Sequence, residues 1–153
     1  MRKTLICTLV GLMMLTLPAL AAPEQPAIDS TPDKAVLVHL EGWLDANPVK
    51  PGEPPKMQKI FESPRNVVVL INSVGLKLAP HYHTSADEIV VVKEGKAEML
   101  INGEWVVVKE GDIHINPRGA VHATRVADGE KFSVISIFTP PQVGGNDRVA
   151  VPQ

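Results

Sequence analysis

The chain has 153 residues, enough for one domain and its core. Fifteen lysines and arginines against seventeen aspartates and glutamates leave a net charge of −2, so no basic surplus recommends nucleic acid or an anionic membrane surface as a partner. Fourteen prolines and eleven glycines set turns at short intervals, which favours a β sandwich or barrel.

Met1 to Ala22 reads as a secretory leader. Arg2 and Lys3 form its positive start, and Thr4 to Leu17 is an apolar run short of the ~18 residues that a spanning helix needs. Ala19-Leu20-Ala21 fits the small-x-small cleavage rule, so residues 1–21 are expected to be removed; a retained membrane anchor is the competing reading. The single cysteine, Cys7, lies in this leader, so the mature chain is expected to carry neither a disulfide nor a thiolate ligand. The leader lacks a twin-arginine pair, which predicts export of the unfolded chain by the general route. The expected destination is the periplasm or the outside, with no stable membrane insertion after cleavage and with any metal acquired there.

Residues 22–56 read as a linker and N-terminal extension. Pro23 to Pro32 has no period, Ala35 to Leu44 carries both strand-like and helix-like features, and Ala46 to Pro55 holds too many prolines for regular structure. A barrel is expected over 57–140. Met57 to Phe61 is a short strand, and Val67 to Val74 (VVVLINSV) is β-branched enough to be buried on both sides. Leu76 to His83 is extended around Pro80. Glu88 to Val92 is a strand closed by a Lys93-Glu94-Gly95 turn. Lys96 to Ile101 and Trp105 to Val108 flank Asn102-Gly103, a two-residue hairpin signal. Ile113 to Ile115, Val121 to Val126 and Phe132 to Phe138 complete the series. Pro140 and Pro141 end it, and residues 141–153, with Gly144 and Gly145, form a tail expected to wrap or fray. No sustained helical period occurs outside the leader. About eight to ten short strands without a long helix imply a closed or double-sheet β barrel.

Chemistry concentrates between Gly75 and His122. His81 and His83 are i and i+2 on one strand, so they face the same way with α-carbons ~6.6 Å apart, close enough for both imidazoles to reach one ion through bonds of ~2.0–2.1 Å. Glu88 opens the next strand, and Pro117-Arg118-Gly119 turns the chain before His122. Singly, each residue has a bland alternative: an H-x-H pair as polar surface, Glu88 as a strand-edge acid, His122 as a half-buried hydrogen-bonded histidine.

Together they resemble the two motifs of the cupin superfamily. The first, G-x5-H-x-H-x4-E-x6-G, is met by Gly75, His81, His83, Glu88 and Gly95. The second, G-x5-P-x-G-x2-H-x3-N, is met by Gly111, Pro117, Gly119 and His122, with Val126 where the family usually has asparagine. The resemblance implies an all-β fold, the double-stranded β-helix or jelly-roll barrel. It implies His81, His83, Glu88 and His122 as ligands of one divalent transition metal, among Fe, Mn, Zn, Cu and Ni. It also implies a homodimer in which Ala35 to Phe61 packs on a neighbouring barrel.

Strand alternation from the ligands turns Val90, Val92, Thr124 and Val126 inward, so the pocket is expected to be largely aliphatic, with Thr124 as its polar exception. His114, opposite in phase to Ile113 and Ile115, faces either the cavity or solvent. Arg118 and Arg125 stand either at an anion-binding rim or in water. His39 is expected on the surface, Tyr82 away from the metal face, and Trp43 and Trp105 in packing or subunit contacts. Four protein ligands leave about two positions on a six-coordinate ion, as catalysis requires. The expected function is a metal-dependent small-molecule enzyme, for example an oxygenase, isomerase or decarboxylase, with Glu88 as ligand only or as a base. The alternative is a non-catalytic periplasmic protein that binds a small ligand or a metal.

Overall fold

The computed structural model describes residues 35–142 and 147–152. The leader with its cleavage site, Pro23 to Pro32, and Gly144 and Gly145 lie outside the described residues. Among the described residues one short helix, α1 (Leu40–Ala46), precedes nine strands: β1 (Lys56–Glu62), β2 (Val67–Val74), β3 (Lys77–His83), β4 (Asp87–Ile101), β5 (Glu104–Lys109), β6 (Ile113–Asn116), β7 (His122–Arg125), β8 (Lys131–Thr139) and β9 (Arg148–Ala150). Among the described residues no helix is long and apolar enough to cross a membrane.

All strand pairs are antiparallel. They form two faces, β1-β2-β8-β4-β6 and β5-β4-β7-β3-β9, which share β4. This is the expected double-stranded β-helix. Apolar side chains that alternate along both faces meet between them. Val90, Val92, Ala97, Met99, Val108, Val126, Phe132 and Val134 form one buried cluster, with Ile71, Leu76 and Ile101 packed against it. Burying a valine or phenylalanine completely stabilises by ~1.5–3 kcal/mol, and this cluster is the main source of cohesion.

The sharing of β4 overturns one expectation. Lys93-Glu94-Gly95 is not a turn: β4 runs on for 15 residues, with a register shift against β8 between Val92 and Glu94, just before its partner changes. The kink is a bulge. Residues 87–95 pair with β8, and residues 96–101 with β5. Gly95 has φ 81°, and a Cβ there would stand 2.0 Å from the Lys131 carbonyl oxygen, so only glycine lets the strand pass β8 while it bends from one face to the other. The Asn102-Gly103 hairpin forms as expected, with φ 52° and 85°.

Two segments that the sequence left open take definite form. In the ambiguous segment, Ala35 to His39 has no regular structure and Leu40 begins a seven-residue helix. Its residues are exposed or half-buried, and it is held from outside: Glu41 pairs with Lys93 at 2.9 Å, and the carbonyl of Asn47, just past the helix, accepts from Asn72 Nδ2 at 2.8 Å. At the other end, of the two readings for the tail, wrapping fits its described part, which returns as β9 and pairs with β3 in the register His81↔Ala150, Tyr82↔Val149, His83↔Arg148.

Candidate metal centre

A β-bulge sets the phase of the first two histidines. In β3, Leu78 pairs with Thr124 and His81 with His122, three residues on one strand against two on the other. The extra residue lies at Ala79-Pro80, where proline removes a ladder donor. Past it, His81 and His83 alternate normally, and both are buried, at 2% and 5% exposure. Tyr82 between them is half-buried and pairs with exposed Val149. His122 opens β7 opposite His81, with 4% exposure. Glu88, near the start of β4, is buried and lies opposite Asn116 of β6.

The strands thus bring His81, His83 and His122 into one buried cluster whose ligand atoms lie within 4.8 Å of one another. Ring centroids are separated by 4.2 Å (His81–His122) and by 5.4 Å for each of the other two pairs. Glu88 Oε2 is 3.2 Å from His122 Nε2 and 3.9 Å from His83 Nε2.

Each imidazole has its outer nitrogen tied. His81 Nδ1 donates to the Ala79 carbonyl at 2.9 Å, and His122 Nδ1 to the Ala120 carbonyl at 2.9 Å. His83 Nδ1 donates to Asp147 Oδ1 at 2.7 Å. With the proton of each neutral ring at Nδ1, the Nε2 atoms carry lone pairs. His122 Nε2 is buried and finds no hydrogen-bond partner, although the Glu88 carboxylate stands beside it. A lone pair facing a carboxylate at 3.2 Å is unfavourable unless a cation lies between them. Three nitrogen lone pairs and one carboxylate therefore fit a divalent transition metal.

The electrostatics agree. Burial pushes the His81 imidazole down to about 4 against its hydrogen bond to Ala79, with the neighbouring His122, Arg148 and His83 lowering it further. It is neutral at neutral pH, the form that ligates. Burial works to raise Glu88, but its surroundings of His122, Ser136 and His83 hold it below the usual carboxylate range, so it stays an anion; without an ion, a proton at the His122–Glu88 contact would stand where the metal cation fits. Asn116 Nδ2 adds a hydrogen bond to Glu88 Oε2 at 3.1 Å.

Val90, Val92, Thr124 and Val126 all lie inside the barrel, at 3%, 2%, 5% and 0% exposure, the three valines within the packed core. The cavity that opens at the histidines, of ≈ 520 Å³, has other apolar walls: Val67, Val69, Ile71, Leu76, Leu78 and Phe138, with His81, His83 and Glu88 at its base. Its polar rim includes Lys59, Glu62, Gln142 and Arg148. Arg125 is not at this rim; it binds Glu98 through two hydrogen bonds, at 2.8 and 3.1 Å, and lies 4.0 Å over the Trp105 ring. Arg118 is also outside the cavity lining, exposed, with its backbone N–H on Asp87. His39 is exposed. His114 turns inward, 7% exposed, and burial lowers its affinity for a proton, as does His122, against a raising influence from Glu88.

The architecture agrees with that of known proteins that this chain resembles. Residues 68–138 match the family described as Cupin domain. A protein of uncharacterised function from Aquifex aeolicus (strain VF5) is 34% identical over 93 residues, which span 61% of this chain and 74% of the relative.

The chain belongs to the cupin family.

Solved structures share its fold. A conserved protein with a double-stranded β-helix domain from Klebsiella pneumoniae superposes on this cupin with a TM-score of 0.62 at 24% identity, over 78% of this chain and all of the other. KdgF from Halomonas sp. gives 0.56 at 24% identity, over 65% and 94%. The polyketide cyclase RemF from Streptomyces resistomycificus gives 0.57 at 19% identity, over 68% and 76%.

Two residues at the site escaped the sequence reading. Asn116 carries a signal: it is two residues from His114 on the same strand, directly before Pro117 of the second motif. Asp147 carries none. It lies 64 residues beyond His83 and meets it only because β9 returns to the edge of β3.

Proposed function

We propose that this cupin is a metal-dependent enzyme of a small molecule, with one divalent transition ion held by His81, His83, Glu88 and His122. The observation that carries this reading is the set of three buried imidazoles, each with Nδ1 bonded outward and Nε2 turned to a shared centre beside a carboxylate. When bound, the ion would supply Lewis-acid or oxygen-activating chemistry. The chain's own residues do the rest. The apolar wall from Val67 to Phe138 excludes water from the substrate, and Asn116 holds Glu88 oriented. At the mouth Lys59 is paired with Glu62 at 2.7 Å, and Arg148 and Gln142 complete the polar edge. Enzymatic chemistry has precedent on this fold in the polyketide cyclase RemF and in the DMSP lyase DddQ from Ruegeria pomeroyi, at 19% and 24% identity.

Export sets the metal supply. A chain that folds outside the cytoplasm meets copper and zinc at the top of the affinity order, so iron or manganese cannot be assumed from the family. The deciding experiment is metal analysis of protein recovered from the exported compartment, with oxygen-uptake and small-acid substrate screens. A stoichiometric metal with substrate turnover supports the enzyme. A metal with tight ligand capture and no turnover assigns the non-catalytic binding role. No metal in the wild type, and no change on His83→Ala, would overturn the site.

A homodimer is part of the same proposal. Ile113 and Ile115 of β6 are 64% and 58% exposed, and their register partners Val91 and Ile89, with Ile135 and Ile137 beyond, extend the apolar surface across the outside of one face. A second copy would cover it.

A further inference from the structure

Asp147 is buried, at 7% exposure, and its carboxylate accepts four hydrogen bonds. Its Oδ1 takes His83 Nδ1–H at 2.7 Å. Its Oδ2 takes Ser85 N–H at 2.7 Å, Ser85 O–H at 2.6 Å and Ala86 N–H at 3.1 Å. Its carbonyl takes the Thr84 N–H at 3.3 Å, so the backbone at 147 is bound to the same turn as its side chain. The turn of residues 84–86 joins the strand of His83 to the strand of Glu88, and one carboxylate thus grips both the imidazole and the turn behind it. Among the described residues the other polar side chain at that imidazole nitrogen is the Gln142 amide, whose nitrogen stands 3.0 Å away and could donate only to an unprotonated Nδ1, so it competes with Asp147 for the tautomer.

We propose that Asp147 is a positioning residue that holds the proton of His83 on Nδ1 and so keeps Nε2 free to ligate, which makes the C-terminal strand part of the metal centre. The proposal rests on the metal reading above for its consequence, but not for its geometry. His81 and His122 bond to carbonyls two residues before them in the chain, which accept only and so fix the tautomer locally. His83 has no such local acceptor. Its tautomer is set by a residue from the far end of the chain.

Asp147→Asn separates orientation from mere attachment. Three donors converge on the Oδ2 position, so the amide must place its oxygen there and its nitrogen toward His83. That nitrogen donates to Nδ1 and drives the ring proton to Nε2, where it blocks the lone pair. The substitution is nearly isosteric and keeps three of the four contacts. Ser85→Ala is the opposite control: it loosens the turn and leaves the His83 contact untouched.

Nitrogen NMR of the metal-free protein reads the tautomer directly. The expected result is an Nδ1–H tautomer at His83 in the wild type, in Ser85→Ala and in Gln142→Ala, and an Nε2–H tautomer in Asp147→Asn. Zinc titration by calorimetry should then show affinity lowered by about 10- to 100-fold in Asp147→Asn and by less than about 3-fold in Ser85→Ala, since the Ser85 and Ala86 N–H groups still hold Oδ2 and the His83 contact remains. An Nε2–H tautomer at His83 in the wild type would overturn the proposal whether or not any variant folds. So would Asp147→Asn with an unchanged tautomer, or Ser85→Ala with an equal loss of affinity. If the wild type binds no zinc, copper, iron, nickel or manganese, the metal reading fails, while the tautomer measurement still decides the role of Asp147.

Discussion

His81 is the residue whose protonation most directly opposes the folded state. Its imidazole titrates at about 4 in the fold against 6.5 in the open chain. Between those values the unfolded chain binds a proton that the native chain refuses, so native stability falls as pH drops from about 6.5 toward 4, by up to about 3 kcal/mol. Asp147 acts in the same sense at lower pH. Burial raises its carboxyl, but Ser85, through side chain and backbone, and His83 outweigh that and hold it at about 2, against 3.8 in the open chain. Its contribution is complete above about pH 4 and is lost as pH falls through 2. Urea unfolding of the metal-free protein across pH 4 to 7 should show a midpoint that falls steadily on acidification, and His81→Gln should flatten the slope between pH 4 and 6.5. Asn116→Ala tests the support of the carboxylate. Loss of the 3.1 Å bond frees Glu88 to turn, and metal affinity should fall by about 10-fold or more in calorimetric titration, with the fold retained.

At the scale of elements, the decisive device is the bend in β4. Gly95→Ala would place a methyl group 2.0 Å from the Lys131 carbonyl at a φ of 81°. The change should cost about 2–4 kcal/mol in chemical denaturation, far above the ordinary cost of a surface glycine replacement. Gly103→Ala, at a similar φ of 85° but with open space around it, should cost about 1 kcal/mol. This pair also shows what could be read in the chain beforehand. Asn102-Gly103 and Lys93-Glu94-Gly95 carry the same local signal, a glycine at positive φ. At Gly103 nothing opposes the local preference, and a hairpin forms. At Gly95 the pairing of β8 along both sides of the bulge overrides it, and the strand continues. The H-x-H alternation was legible because the bulge at Ala79-Pro80 lies before His81 and leaves the phase beyond it intact. Helix α1 was not, because seven residues without a buried member leave no period to detect. The cavity walls were misjudged for a related reason. Strand alternation says which residues point inward, but not at which depth the core is filled, and Val90, Val92 and Val126 lie where it is.

At the scale of the whole molecule, one outer face is left apolar. Ile113→Asp with Ile115→Lys would remove the exposed apolar pair on β6 without touching the interior side chains His114 and Asn116. Sedimentation equilibrium should show the wild type as a dimer and this variant as a monomer with an unchanged metal content. A wild-type monomer would withdraw the proposed interface.

Strand β8 lies between β2 and β4, and β9 closes on β3, so both faces wait for residues near the end of the chain. The β1–β2 and β4–β5 hairpins can pair early, but neither alone encloses an interior. Such non-local order makes folding slow, on the scale of milliseconds to seconds, and late in synthesis. A chain of this topology encloses its interior only once β8 and β9 have joined the strands made before them.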